Sequence, residues 1–209
     1  MTERLYYHSD ALECTSSVIG CSAQEDGRYR VILSSTLFHP KGGGQPSDRG
    51  TLGAVNMLHA VQEGDEVAHY TDGPLALGAV DLRVDAALRQ LHTRYHSAGH
   101  LIAAVGEKFG WYGNKGDHRP GEGRVVFEPR EPLSAVSAED FTSGVAALVA
   151  QGLRRQLSEE AGRRKVTWGE LPAYACGGTH VDSTAQVGEV RILKVKEKKG
   201  QLSVQYQLA

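Results

Sequence analysis

Two pairs of potential metal ligands, about eighty residues apart, restrict this chain to folds that bring them together. They are His96-Ser97-Ala98-Gly99-His100 and Cys176-Gly177-Gly178-Thr179-His180. The first pair lies in a stretch that reads as helix, where an i,i+4 pair projects from one face about 6 Å apart along the axis. The second lies in a glycine turn able to bend the backbone around an ion. Three imidazoles and a thiolate suit Zn²⁺. With 9 His in 209 residues, chance gives an HxxxH about 0.4 times and a CxxxH about 0.13 times, so neither pair carries weight alone. Together they predict one zinc held by His96, His100, Cys176 and His180. The alternative is a set of hydrogen-bonded structural histidines and a core thiol. His92 lies on the same side, but it is about 12 Å from His100 in axial rise, so it is expected outside the ligand set.

The pattern of the chain changes near Asp85. Before it, short strands are expected near Leu5–Tyr7, Glu13–Cys21, Tyr29–Leu33, Gly50–Gln62, Glu66–Tyr70 and Ala79–Arg83, with turns at Glu63-Gly64-Asp65 and Asp72-Gly73-Pro74. A glycine-rich segment, Lys41 to Gly50, interrupts them. It is not a P-loop, because no Gly-Lys-Ser/Thr opens a helix, and a mobile hairpin turn is its plainest reading. After Asp85, a helix from about Ala86 to Phe109 carries the stripe Leu88, Leu91, Tyr95, Ile102 and Val105, with Asp85 as cap and Gly110 as stop. A loop over 113–123 leads to a strand over 124–127. A second helix follows Ser137, which forms a capping box with Asp140. Strands over 190–195 and 202–208 close the chain, joined by Lys199-Gly200. The fold class is therefore α+β. A small antiparallel β-barrel over residues 1–87, with the glycine-rich loop, precedes an α+β domain over 88–209 in which an antiparallel sheet packs with helices, each with its own core.

Charge divides along the same line. Residues 1–88 carry 6 Lys and Arg against 12 Asp and Glu, a net −6, whereas residues 89–209 carry 17 against 13, a net +4. A phosphate-rich partner would meet the second half, near Arg154-Arg155, Arg163-Arg164-Lys165 and Lys194 to Lys199; solvated faces are the alternative. An odd number of cysteines, 3, argues against a disulfide framework and for a reducing compartment. No apolar run approaches a membrane span, and the start lacks the form of a signal peptide, so a cytoplasmic protein is expected.

With these motifs in order, the chain resembles the editing domain of alanyl-tRNA synthetases and its free-standing relatives, the AlaX proteins of medium length. Tyr95 to Leu101 is similar to the family's first zinc motif and Cys176 to Val181 to its second, with Gln186-Val187-Gly188 as continuation. Phe38 to Pro46 resembles the glycine-rich element before the editing fold, and Asn114-Lys115-Gly116 a loop bordering the pocket. The resemblance implies a trans-editing hydrolase that cleaves the ester joining serine, or secondarily glycine, to the 3′ end of alanine tRNA. A pocket for alanine cannot strongly reject serine, so a second site hydrolyses what escapes.

The resemblance also implies roles. His96, His100, Cys176 and His180 hold Zn²⁺. Asn114 and Thr179 are catalytic candidates. Gly43, Gly44, Gln45, Gly99, Gly177 and Gly178 are substrate-binding candidates, with tRNA as the partner and no obligate protein partner. For Thr179 a buried structural role is an equal alternative. Asp182 is a candidate to orient a ligand imidazole. Two departures stand out: Gly99 replaces a threonine frequent in the synthetases, which widens the pocket or removes a hydrogen bond, and Asn114 replaces a glutamine. Ser97 stands where a HExxH protease has its glutamate base, which disfavours peptide hydrolysis. Four protein ligands describe a closed site, so either one ligand is displaced or the ion orients while water attacks. A non-catalytic zinc-stabilised tRNA-binding module and a zinc hydrolase of another acyl ester remain as competing readings.

Overall fold

Val18, Val31, Leu33, Leu52, Met57, Val67 and Leu82 share one apolar core in the first part of the chain. They reach it because side chains alternate along strands: Val80, Leu82 and Val84 are buried while Asp81 and Arg83 between them are exposed. The computed structural model describes all 209 residues, which form two units: Met1–Gly42 with Pro46–Gln90, and Gly43–Gln45 with Leu91–Ala209. The first unit contains β1 (Glu3–Arg4), β2 (Glu13–Ala23), β3 (Tyr29–Leu33), β4 (Ser35–Thr36), β5 (Gly50–Leu52), β6 (Val55–Glu63), β7 (Glu66–Thr71) and β8 (Gly78–Val84). Six of these pair in the order β2-β3-β7-β6-β5-β8, and β8 returns to pair with β2.

The second unit takes most of α1 (Ala86–Glu107), then β9 (Trp111–Asp117), β10 (Arg124–Pro129), α2 (Ala138–Gln151), β11 (Arg155–Glu160), β12 (Arg163–Trp168), β13 (Tyr174–Ala175), β14 (Val190–Lys198) and β15 (Gln201–Leu208). Asp85 Oδ1 accepts the Leu88 N–H at 3.0 Å, capping α1. Ser137 and Asp140 form the capping box of α2, and Gly152 ends it in the left-handed region. Leu101, Ile102 and Val105 pack with Phe127, Phe141, Val145 and Tyr206 in the core. No helix is long and apolar enough to cross a membrane.

The expected fold class needs correction. The front unit is not a plain antiparallel barrel: β1 pairs with β4 in parallel, outside the other six strands. The second unit does not hold one antiparallel sheet packed with helices. It holds two, ordered β14-β15-β10-β9 and β11-β12-β13. Leu5–Tyr7 is a 3₁₀ turn rather than a strand. The expected strand over Gly50–Gln62 is a hairpin of β5 and β6, and the expected loop at 113 begins with β9.

Two buried polar arrangements matter for stability. Arg89 and Asp48 form an ion pair, with side chains 8% and 0% exposed. Asp48 also accepts the His39 N–H at 2.6 Å, and Arg89 Nη2 donates to the Leu37 carbonyl at 2.6 Å. The second arrangement is His69, fully buried between Thr36 Oγ1 at 2.8 Å and the Val31 carbonyl at 3.3 Å. Burial lowers its pKa from 6.5 to about 4. An unfolded chain therefore binds a proton between pH 6.5 and 4 that the folded one does not, so stability falls as pH drops through that window. The loss is expected to reach up to about 3 kcal/mol. Denaturant titrations at pH 7 and 4.5 should show a smaller difference for His69→Gln than for the unaltered protein; equal differences would mean that other groups carry it.

Candidate metal centre

The histidine pair projects from α1, and the loop after β13 meets it. That loop is shaped by arginines. Arg164 Nη1 donates to the carbonyls of Cys176 at 2.8 Å and Gly178 at 3.1 Å, and Arg155 Nη1 donates to the His180 carbonyl at 2.5 Å. Trp168 Nε1 donates to the Val181 carbonyl at 3.1 Å, and Ser97 Oγ accepts the Val181 N–H at 3.1 Å. The result is a cluster of His96, His100, Cys176 and His180 whose donor atoms all lie within 4.8 Å of one another, so they could hold a metal ion. Cys176 Sγ lies 3.4 Å from His96 Nε2 and 3.3 Å from His180 Nε2. A nitrogen and a sulfur on one tetrahedral zinc would be about 3.5 Å apart, so the spacing fits. His100 Nδ1 is buried without a hydrogen-bond partner. His92 lies outside the cluster.

The electrostatics suit ligation too. Burial holds His100 at about 3, helped by the charges of His118 and Arg164. His180 is held well below 6.5, again by burial first and then by neighbouring positive groups. These imidazoles stay neutral, the form that binds metal. Burial pushes the Cys176 thiol up, against the Gly178 N–H and Arg164.

Gln45 orients the cluster. Its Oε1 accepts from His96 Nδ1 at 2.6 Å and from the Thr179 N–H at 3.0 Å, while Nε2 donates to Thr179 Oγ1 at 2.8 Å. With Nδ1 donating, His96 directs the lone pair of Nε2 toward the sulfur. Gln45→Ala is expected to weaken metal binding roughly tenfold to a hundredfold, measured by competition with a chromophoric chelator. Unchanged affinity would show that Gln45 does not set the ring.

The other expected site residues separate. A cavity of about 270 Å³ beside the cluster is lined by Gly43, Gly99, Asn114 and Gly177, together with His96, His100 and Cys176. Gln45, Gly44, Thr179 and Gly178 do not line it. Gln45 is 1% exposed and consumed by its bonds, so it does not reach outward to substrate. The Thr179 hydroxyl is buried between Gln45 and Thr93 Oγ1, the latter at 2.6 Å. Gly178 is glycine for close approach: a Cβ there would overlap the His96 ring and lie 2.8 Å from Gln45 Oε1. Gly44, at φ +78°, lets the main chain meet β9, where a Cβ would strike the Gly116 carbonyl. Asn114 is exposed on β9, its Nδ2 donating to Glu128 at 2.6 Å. Asp182 orients no imidazole; it pairs with Arg154. Ser97 Oγ, 3.4 Å from His180 Nδ1, takes that place.

The sequence missed His118. A wider pocket or a missing hydrogen bond was expected beside Gly99; the His118 ring fills that space, and a Cβ on Gly99 would overlap it. His118 stacks on His96 with centroids 4.7 Å apart and bonds Tyr206 Oη at 2.7 Å. Burial lowers its pKa to about 4. A histidine in a glycine-rich segment carries no sequence signal of such packing. A larger groove, about 970 Å³, lies in the front unit along Arg49, His59 and Arg83 and includes none of the donor cluster.

Comparison with known proteins agrees with this geometry. Residues 164–203, which include the Cys176–His180 turn, match the family described as the threonyl and alanyl tRNA synthetase second additional domain. The alanyl-tRNA editing protein Aarsd1 of Rattus norvegicus is 31% identical over 229 residues, covering 91% of this chain and 54% of that protein. Its Bos taurus counterpart is 30% identical, covering 95% and 52%. An alanine–tRNA ligase of Halorubrum lacusprofundi is 29% identical over 93% of this chain and 24% of the ligase. The chain thus spans about half the length of the editing proteins it matches. It belongs to the family of alanyl-tRNA editing proteins and alanine–tRNA ligase editing domains.

Proposed function

We propose that this protein is a trans-editing hydrolase that releases serine, and secondarily glycine, from the 3′ end of alanine tRNA. The observation that carries the reading is the junction of the donor cluster with a cavity of about 270 Å³, a volume suited to a small aminoacyl group. In this reading His96, His100, Cys176 and His180 hold Zn²⁺. Zinc there would supply Lewis acidity toward an ester oxygen or fix the substrate's orientation. The chain's own residues do the rest. Gln45 and Ser97 hold the ligand imidazoles in place. Gly43 and Gly177 leave room beside the cluster, and Asn114 is an exposed polar side chain at the rim. No carboxylate lines the cavity to act as a base, which favours an activated ester over a peptide as substrate. Water adds to the ester carbonyl, the bond to the ribose oxygen breaks, and free amino acid and tRNA leave.

The net +4 of residues 89–209 supports contact with the phosphates of the acceptor end. A cytoplasmic location and independent folding of the two units belong to the same reading. The test is incubation with seryl-, glycyl- and alanyl-tRNA, each carried on alanine tRNA, with and without chelator. Chelator-sensitive release of serine that spares alanine is expected. Binding without turnover would leave a zinc-stabilised tRNA-binding module. Release of alanine as fast as serine would make the protein a general esterase.

A further inference from the structure

His118 is the cavity wall that no motif announced, and its surroundings fix both its position and its hydrogen. The ring lies against His96, with 19° between planes. On its other sides a Cβ at Gly99 or Gly116 would overlap it, and its own main-chain N–H donates to the Gly44 carbonyl at 2.9 Å. The Tyr206 hydroxyl has one hydrogen, given to the Tyr95 carbonyl at 2.8 Å. That oxygen therefore accepts at its 2.7 Å contact with His118, and the imidazole hydrogen sits on Nδ1. In an imidazole with its hydrogen on Nδ1, the other ring nitrogen is the acceptor. The lone pair is then on Nε2. This atom has no hydrogen-bond partner in the protein and, unlike His100 Nδ1, is not sealed from solvent, while the ring borders the cavity.

We propose that His118 Nε2 selects the amino acid by accepting a hydrogen bond from a side-chain hydroxyl of the bound aminoacyl group. The inference rests on the editing reading above and names its specificity-determining residue. A neutral acceptor rewards only a donor. An α-ammonium is one, but it would meet Lys115 beside a cluster suited to a cation, which repels a second charge. A hydroxyl meets no such repulsion. Glycine and alanine bring no side-chain donor and leave the lone pair unpaired.

The test uses the zinc-loaded protein and two readouts. His118→Phe keeps the ring and removes both nitrogens. Its seryl-to-glycyl ratio of kcat/KM on charged alanine tRNA should fall roughly tenfold to a hundredfold. Calorimetry with seryl- and glycyl-adenosine joined through a 3′ amide should show the same loss of preference without hydrolysis. Tyr206→Phe, which releases the Nδ1 hydrogen, is the second variant and should lower the ratio by a smaller factor. An unchanged ratio in both variants, or an equal loss for both amino acids, overturns the proposal. If the wild type hydrolyses seryl-tRNA but the ratio does not move, the editing reading stands and this inference alone fails. If it hydrolyses none of the charged tRNAs and prefers neither amide, both fail.

Discussion

Cys176→Ala is expected to purify with far less than one zinc per chain and to show no measurable release of serine. Sγ is the donor that lies 3.3 and 3.4 Å from two imidazole nitrogens, so its removal takes out a corner shared by both. Structural zinc sites with four ligands contribute about 10–16 kcal/mol, so one ligand accounts for about 3–4 kcal/mol, or some hundred- to thousandfold in affinity. His100→Ala should behave likewise, since it belongs to the same cluster. His92→Ala is the control, one turn away on α1 and outside the cluster. Metal analysis after dialysis decides the matter: full zinc in the Cys176 variant would overturn the ligand set. Loss of zinc in the His92 variant would show that the cluster is wider than four residues.

Asp48→Ala should destabilise the front unit by about 3–5 kcal/mol, because it leaves the Arg89 guanidinium buried without its carboxylate. The His39 N–H loses its acceptor in the same step. For a unit of this size the midpoint of thermal unfolding should fall by more than about 10 °C. Glu13→Ala offers the contrast. Its partner Arg83 is 71% exposed and Glu13 itself 64%, so solvent screens the pair. Circular dichroism melts of the two variants should differ widely. Equal shifts would mean that the buried pair contributes no more than a surface one.

Much of the fold could be read from the sequence where local chemistry decides it. Asp85 and the Ser137–Asp140 box announce the two helices because capping involves residues three apart. Lys199-Gly200 marks the β14–β15 turn, where both residues take positive φ as a tight hairpin requires. The missed elements have no such signature. In β9, Gly113, Lys115, Gly116 and Asp117 give no alternation of apolar and polar residues. In β11, Gln156 to Glu160 are all exposed, so the strand shows no alternation of buried and exposed residues, although its partner β12 buries Val166 and Trp168. Leu5–Tyr7 has strand-forming residues but lies at a corner.

The candidate site divides in the same way. Motif spacing marked the four donors, which the fold brings within reach of one another. The roles of the residues around them depend on contacts made across the chain. Gln45 bonds His96 over 51 positions, and His118 bonds Tyr206 over 88. No local pattern records a partner that far away, so Gln45 was expected to face substrate and His118 was not expected at the site.

The overlap between position 99 and His118 fixes an order of events for any change in this pocket. A side chain at 99 collides with the imidazole already there. Residue 118 must shrink first, and residue 99 can grow only afterwards. Single substitutions would then mark both positions as indispensable, although a joint replacement could satisfy the same space. Two pockets of equal quality can therefore be separated by a poor intermediate, and a library that varies 99 alone will never cross it.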